Sequence, residues 1–228
     1  MCLGMNDQCF PFLIISGNDI DTVHHLFSSM LPCIAQLLPD EDLRKIMVDS
    51  NFLDLLQTFG DSMKTDEKNN QLLECLIHIF HEAIVLIPKH CKGVTWKPSL
   101  IKKLIGLYHQ SYENKGMFTL YSRFEVIVVL LRLTELCGLK LRDNDFLQSV
   151  TGFLLDTVED LEDMDENYSD MWFIAMQSLL EVVSNNDFER NELKRSSDTK
   201  RALSQASENT VSKNVKSLIK DLHRILYT

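Results

Sequence analysis

Apolar residues recur along this chain in bursts of helical spacing, separated by short polar corners. The clearest case is Leu43–Met63. There Ile46, Met47 and Val48 close one apolar run, Asp49, Ser50 and Asn51 follow, and Phe52, Leu53, Leu55, Leu56 and Phe59 open the next. Short side-chain oxygens accept hydrogen bonds from the free N–H groups of a helix start. The stretch therefore reads as a helix–corner–helix joint capped by its polar side chains.

The joint is echoed at Asp143–Phe146 and Asn185–Phe188, and Lys97–Leu100 fills the gap with Leu in place of Phe. Phe52, Leu100, Phe146 and Phe188 are then 48, 46 and 42 residues apart. An apolar helix follows each of the first three corners, and a second helix follows each of those, in Gln71–Ile87, Ser122–Leu136 and Met171–Val183, with Val215–Leu226 as the last. Taken alone, the β-branched run Val126–Leu131 reads equally as a strand; the length and helical character of its flanks favour helix. Ahead of the joint, Asp19 or Asp21 opens a helix that Pro32 kinks and Pro39 ends. His90–Pro98 reads as a loop, Ser99 as the cap of the next helix, and the Ser-rich stretch 196–212 as a polar loop. Residues 1–17 commit to no element and are expected to be a flexible terminus; 18–228 form one domain.

A repeat of about 40–47 residues built from helices and polar corners resembles the armadillo and HEAT families. IMVDSNFLDLLQTF is similar to the armadillo junction between one repeat's last helix and the next repeat's first. The resemblance covers most of Asp40–Tyr227. It implies an all-α, right-handed α-solenoid of about four degenerate repeats with an atypical N-terminal cap. It also implies a non-catalytic scaffold that takes a peptide or helix of a protein partner on its concave face. The Trp and Asn ladder by which some members read peptides is not reproduced, since Met176 stands one turn after Trp172.

Composition agrees with a helical protein: 45% of residues are hydrophobic, with only 8 Gly and 5 Pro. No apolar run reaches the roughly 18 residues of a membrane span, and Phe10–Ile15 lacks the basic flank of a signal peptide. The six Cys form no C-x-x-C pair, which suits free thiols in the cytosol or nucleus.

Charge is unevenly distributed. Asp143–Glu189 holds 13 acids and no Lys or Arg, while Arg190–Thr228 holds nine bases and four acids. The acidic turn around Asp160, Glu162, Asp163 and Asp165 is suited to steering a partner with a basic segment. A calcium loop is not expected. Asp163, Asp165 and Asn167 occupy the right alternate positions, but Tyr168 stands where Gly is needed and Ile174 where the bidentate Glu belongs. The basic segment offers an alternative partner, nucleic acid, against which the overall charge of −10 argues.

No phosphate-binding Gly loop or nucleophile signature occurs, so neither an enzyme nor a cofactor is expected. Cys75, His78, His81 and Glu82 share a helix without the H-E-x-x-H order, and read as packing rather than a metal centre. The expected binding residues are the polar stripes of each repeat's second helix: Glu74 and His78, Glu125 and Arg132, Gln177 and Glu181, Lys216 and Lys220. Stacked helices would align these pairs into a ladder.

Overall fold

A computed structural model describes residues 30–31, 33–34, 36–37, 40–49, 51–63, 70–113, 119–138, 144–163, 165–210 and 212–228. Among them the regular structure is entirely helical. Most of the expected N-terminal cap, including residues 1–17 and the helix start at Asp19 or Asp21, lies outside the described residues. The helices are α1 (Glu41–Asp49), α2 (Phe52–Ser62), α3 (Asn70–Leu86), α4 (Pro88–Gly93), α5 (Pro98–Glu113) and α6 (Leu120–Cys137). They continue with α7 (Asn144–Asp156), a 3₁₀ turn at Glu159–Glu162, α8 (Glu166–Asn185), α9 (Asp187–Arg195), α10 (Ser197–Asn209) and α11 (Lys213–Tyr227).

The helices pack in two rows. In one, α3 packs on α6, α6 on α8 and α8 on α11. In the other, α2 packs on α5 and α7 on α10. Tyr108 joins α5 to α7: its ring meets Phe146 edge-on at 5.2 Å and its hydroxyl lies 3.2 Å from Ser149 Oγ. Each helix of the second row also packs on its neighbour in the first. The ambiguous run Val126–Leu131 lies inside α6 and is buried throughout. Thr119 caps that helix by accepting from Ser122 N at 3.1 Å, and Gly138 ends it at φ 62°, the left-handed conformation that glycine adopts without strain. A helix with an apolar run this long needs neighbours on most sides, and α6 finds them in α3, α4, α5 and α8.

The corners work differently from the sequence expectation. Asn51 makes no side-chain cap. It adopts φ 52°, a left-handed conformation Asn tolerates better than most residues, and its carbonyl accepts from Asp54 N at 3.0 Å. At the second corner the helix starts at Pro98, whose fixed φ suits a first helical position. The N–H of Lys97 goes to the side chain of Gln57 at 2.9 Å. Asp143 lies outside the described residues; among the described corner residues, Asn186 caps as expected, accepting from Phe188 N and Glu189 N. Its following aromatic does not match the others: Phe188 is 56% exposed, whereas Phe52, Leu100 and Phe146 are buried. The reason is α9, a short extra helix: it touches α7, but the main packing on α7 is made by α10.

Most of the stretch 196–212 is therefore helix, since α10 takes up Ser197–Asn209. Ser196 Oγ accepts from Thr199 N at 3.2 Å, and α10 buries Thr199, Leu203 and Ala206 on one face. Three modest side chains among many Ser and charged residues left too faint an apolar period to read. Likewise His90–Pro98 is not all loop, because α4 carries buried Cys91 through its first part.

Two tryptophans fasten the core through their indole N–H groups. Trp172 donates to Leu154 O at 2.8 Å and Trp96 to Cys91 O at 3.1 Å. Gly60 marks a close approach of α2 to its neighbours: a Cβ there would stand 2.6 Å from Leu76 Cδ2 of α3 and 3.2 Å from Leu100 Cδ1 of α5.

Candidate functional site

Helix α3 places Glu74, His78, His81 and Glu82 on its flank toward α6. Glu74 accepts from Thr119 N at 3.1 Å and Ser122 Oγ at 3.2 Å, which ties α3 to the start of α6. One turn on, His78 Nδ1 lies 2.6 Å from Glu125 Oε1. Glu125 is 2% exposed and His78 about a third exposed. The hydrogen bond to Glu125 raises the imidazole pKa of His78 above its ordinary value, against the opposing effect of burial. Further along, Arg132 of α6 forms ion pairs with Glu181 of α8 and with Glu135.

The expected ladder thus comes together as contacts between adjacent helices. Its remaining members sit apart. Gln177 is exposed on α8. On α11 the residues Val215, Ile219, Leu222 and Leu226 take the buried face, which turns Lys220 toward α10. There Lys220 lines a cleft of about 370 Å³ with Leu203, Ser204 and Glu208. Lys216 is half-buried.

Sequence reasoning dismissed His81 as packing, and the structure gives it a more particular setting. It is 4% exposed, with Nδ1 3.2 Å from Glu82 Oε1 and with Nε2 buried and without a hydrogen-bond partner. His78, His81 and Glu125 each offer an atom capable of ligating a cation, and those atoms lie within 4.8 Å of one another. The hydrogen bond to His81 lowers the pKa of the Glu82 carboxyl, with burial opposing. Burial, then Glu125 and Glu82, push the Tyr121 phenol up. The Tyr121 ring meets Tyr168 of α8 edge-on at 6.0 Å. The i, i+3 spacing of the two histidines was visible in the chain. Glu125, 47 residues beyond His78, was not linked to them by any local pattern.

The acidic turn joins α7 to α8. Asp160, Asp163 and Asp165 are exposed there, and Glu162 closes the 3₁₀ turn, its side chain outside the described set. Asp165 is the N-cap of α8, accepting from Asn167 N at 2.9 Å. Burial and then the charge of Glu159 push the Asp156 carboxyl up. Among the described residues, no carboxylate from Asp156 to Asp170 has an ion-pair partner.

The basic segment is more fully neutralised. Arg190, Arg195, Arg201 and Arg224 each pair with an acid three residues earlier on their own helix. Arg190, Lys194 and Arg224 still share a cleft of about 600 Å³ between α9 and α11. Among the described residues, no helix is long and apolar enough to cross a membrane. Comparison with protein-family models, curated proteins and solved structures gives no match.

Proposed function

We propose that this chain is a non-catalytic protein-binding module of the cytosol or nucleus, built as a short right-handed armadillo-like solenoid. In this reading α2/α3, α5/α6, α7/α8 and α10/α11 are the helix pairs of four repeats, with α9 an added first helix in the last. The two-row order of neighbours supports it. The partner is a protein segment rich in Lys or Arg that docks at the acidic turn.

The supporting observation is the run of carboxylates between α7 and α8, exposed at Asp160, Asp163 and Asp165 and, among the described residues, without an ion-pair partner. Like charges held close repel one another, and the cap made by Asp165 needs an oxygen acceptor, not a charge. A basic partner relieves that repulsion and is steered toward it at low salt. The test uses a labelled polylysine peptide and the full chain. Parent protein binds with an affinity that falls steeply with salt. A variant carrying Asp160→Asn, Glu162→Gln, Asp163→Asn and Asp165→Asn binds at least about tenfold more weakly, a loss of about 1.4 kcal/mol. Asn retains the cap at position 165, so the change is one of charge. Equal affinity of parent and variant sinks the proposal.

The cleft of Arg190, Lys194 and Arg224 favours a second reading, in which nucleic acid binds at α9 and α11. Salt-dependent binding of random duplex DNA or RNA, lost on Lys194→Glu, would support it over the first.

A further inference from the structure

We propose that His78, His81 and Glu125 form a binding site for a divalent first-row transition metal ion, zinc being the best match, which clasps α3 to α6. Two imidazoles and one carboxylate are a donor set that suits zinc, whereas calcium and magnesium call for oxygen throughout. The donor atoms already lie within 4.8 Å of each other. Tetrahedral zinc with bonds of about 2.0–2.1 Å sets neighbouring ligands roughly 3.3 Å apart, so small side-chain rotations close the site.

His81 supplies the decisive observation. Its Nδ1 is engaged by Glu82, which in a neutral ring leaves Nε2 as a bare lone pair. That atom is buried without a hydrogen-bond donor, so its loss of water is uncompensated. A cation satisfies it. A carboxylate on the far nitrogen of a ligating histidine fixes its tautomer and orientation, and Glu82 holds that position for His81. On the other side, the proton shared by His78 and Glu125 at 2.6 Å is displaced as the metal enters between them. His78 is the exposed edge of the cluster, so water completes the coordination. The site needs no repeat architecture beyond the packing of α3 on α6, and stands or falls independently of partner binding.

The test begins with the full-length chain stripped of metal by chelator and titrated with zinc against a chromophoric competitor. One equivalent binds, and cobalt in its place gives the d–d absorption of a four-coordinate ion without a thiolate charge-transfer band. His78→Gln, His81→Gln and Glu125→Gln each weaken zinc binding by at least about a hundredfold, and Glu82→Gln by about 10–100-fold. His78→Gln lies at the exposed edge and keeps the fold, which circular dichroism verifies. Zinc raises the melting temperature of the parent and leaves that of His78→Gln unmoved. Absence of zinc uptake overturns the proposal. So does uptake that His78→Gln leaves unchanged, which places the ion elsewhere, or a thiolate-to-cobalt band, which places it on the cysteines.

Discussion

The ammonium of Lys103, on α5, donates to the backbone carbonyl of Gly60, on α2, at 2.7 Å. The same group reaches the carbonyls of Asp61 and Met63, so one side chain closes the C-terminal end of α2 from a different helix. The last carbonyls of a helix lack intrahelical partners and carry partial negative charge. Burial lowers the lysine's pKa, with Asp61 opposing. Lys103→Met retains the aliphatic stem and removes every donor. It should cost about 1.5–3 kcal/mol, the usual scale for hydrogen bonds to a charged group, read from urea unfolding.

Glu189 gives a pH dependence with a definite sign. Burial, and then the charge of Glu192, raise its carboxyl to about 7 in the folded protein, from an ordinary value of 4.5. A carboxyl raised on folding binds its proton more tightly in the native state. Its contribution is therefore complete below the unfolded pKa and is lost as pH rises through the folded one. Glu189→Gln removes this term. The variant should be more stable than the parent by about 2–3 kcal/mol at about pH 8.5 and nearly equal to it at about pH 4. A difference that does not vary with pH would show that the carboxyl does not titrate this way.

Helix α11 distinguishes two leucines that share an apolar pattern. Leu222 is fully buried, while Leu218 is only partly so. Leu222→Asp should cost several kcal/mol by burying an unpaired charge, and Leu218→Asp about 1 kcal/mol or less. Thermal melts of the two variants would separate them. Equal, negligible effects would mean that α11 is not seated on α8.

A double-mutant cycle on Arg132 and Glu181, with each changed to Ala, should give a coupling of about 0.2–1 kcal/mol that shrinks with salt. Both side chains are partly solvated. A coupling near zero would leave these residues free for an external ligand.

The helices were legible wherever their apolar period was strong. In α6 and α8 nearly every turn buries a large side chain, and the pattern needs no tertiary knowledge. In α10 the buried set is Thr199, Leu203 and Ala206, too small and polar to stand out from its Ser-rich surroundings. The corner residues were visible, but Asn suits both a side-chain cap and a left-handed backbone turn, and the residue type alone did not say that Asn51 takes the second. Helical spacing paired residues within one helix, Glu74 with His78 and Glu125 with Arg132, whereas the contacts in the structure, His78 with Glu125 and Arg132 with Glu181, run between helices. What spacing lacked was the sign of the outcome: stacked stripes satisfied one another. His81 read as packing because its own helix lacks the H-E-x-x-H order; Glu125, which lies close to it, belongs to a different helix that no local motif reaches.

The near contact at Gly60 has a consequence for how this chain tolerates change. Glycine within a helix is the first residue that a helix-propensity scale would replace, for a gain of about 1 kcal/mol with Ala. Here the added methyl group would collide with Leu76, itself fully buried, and crowd Leu100. Overpacking a dense core costs about 1–3 kcal/mol, so the local gain is cancelled or reversed. A position that looks like a free improvement from the chain alone is instead a tight clearance between three helices, and drift there requires compensating loss of volume at Leu76.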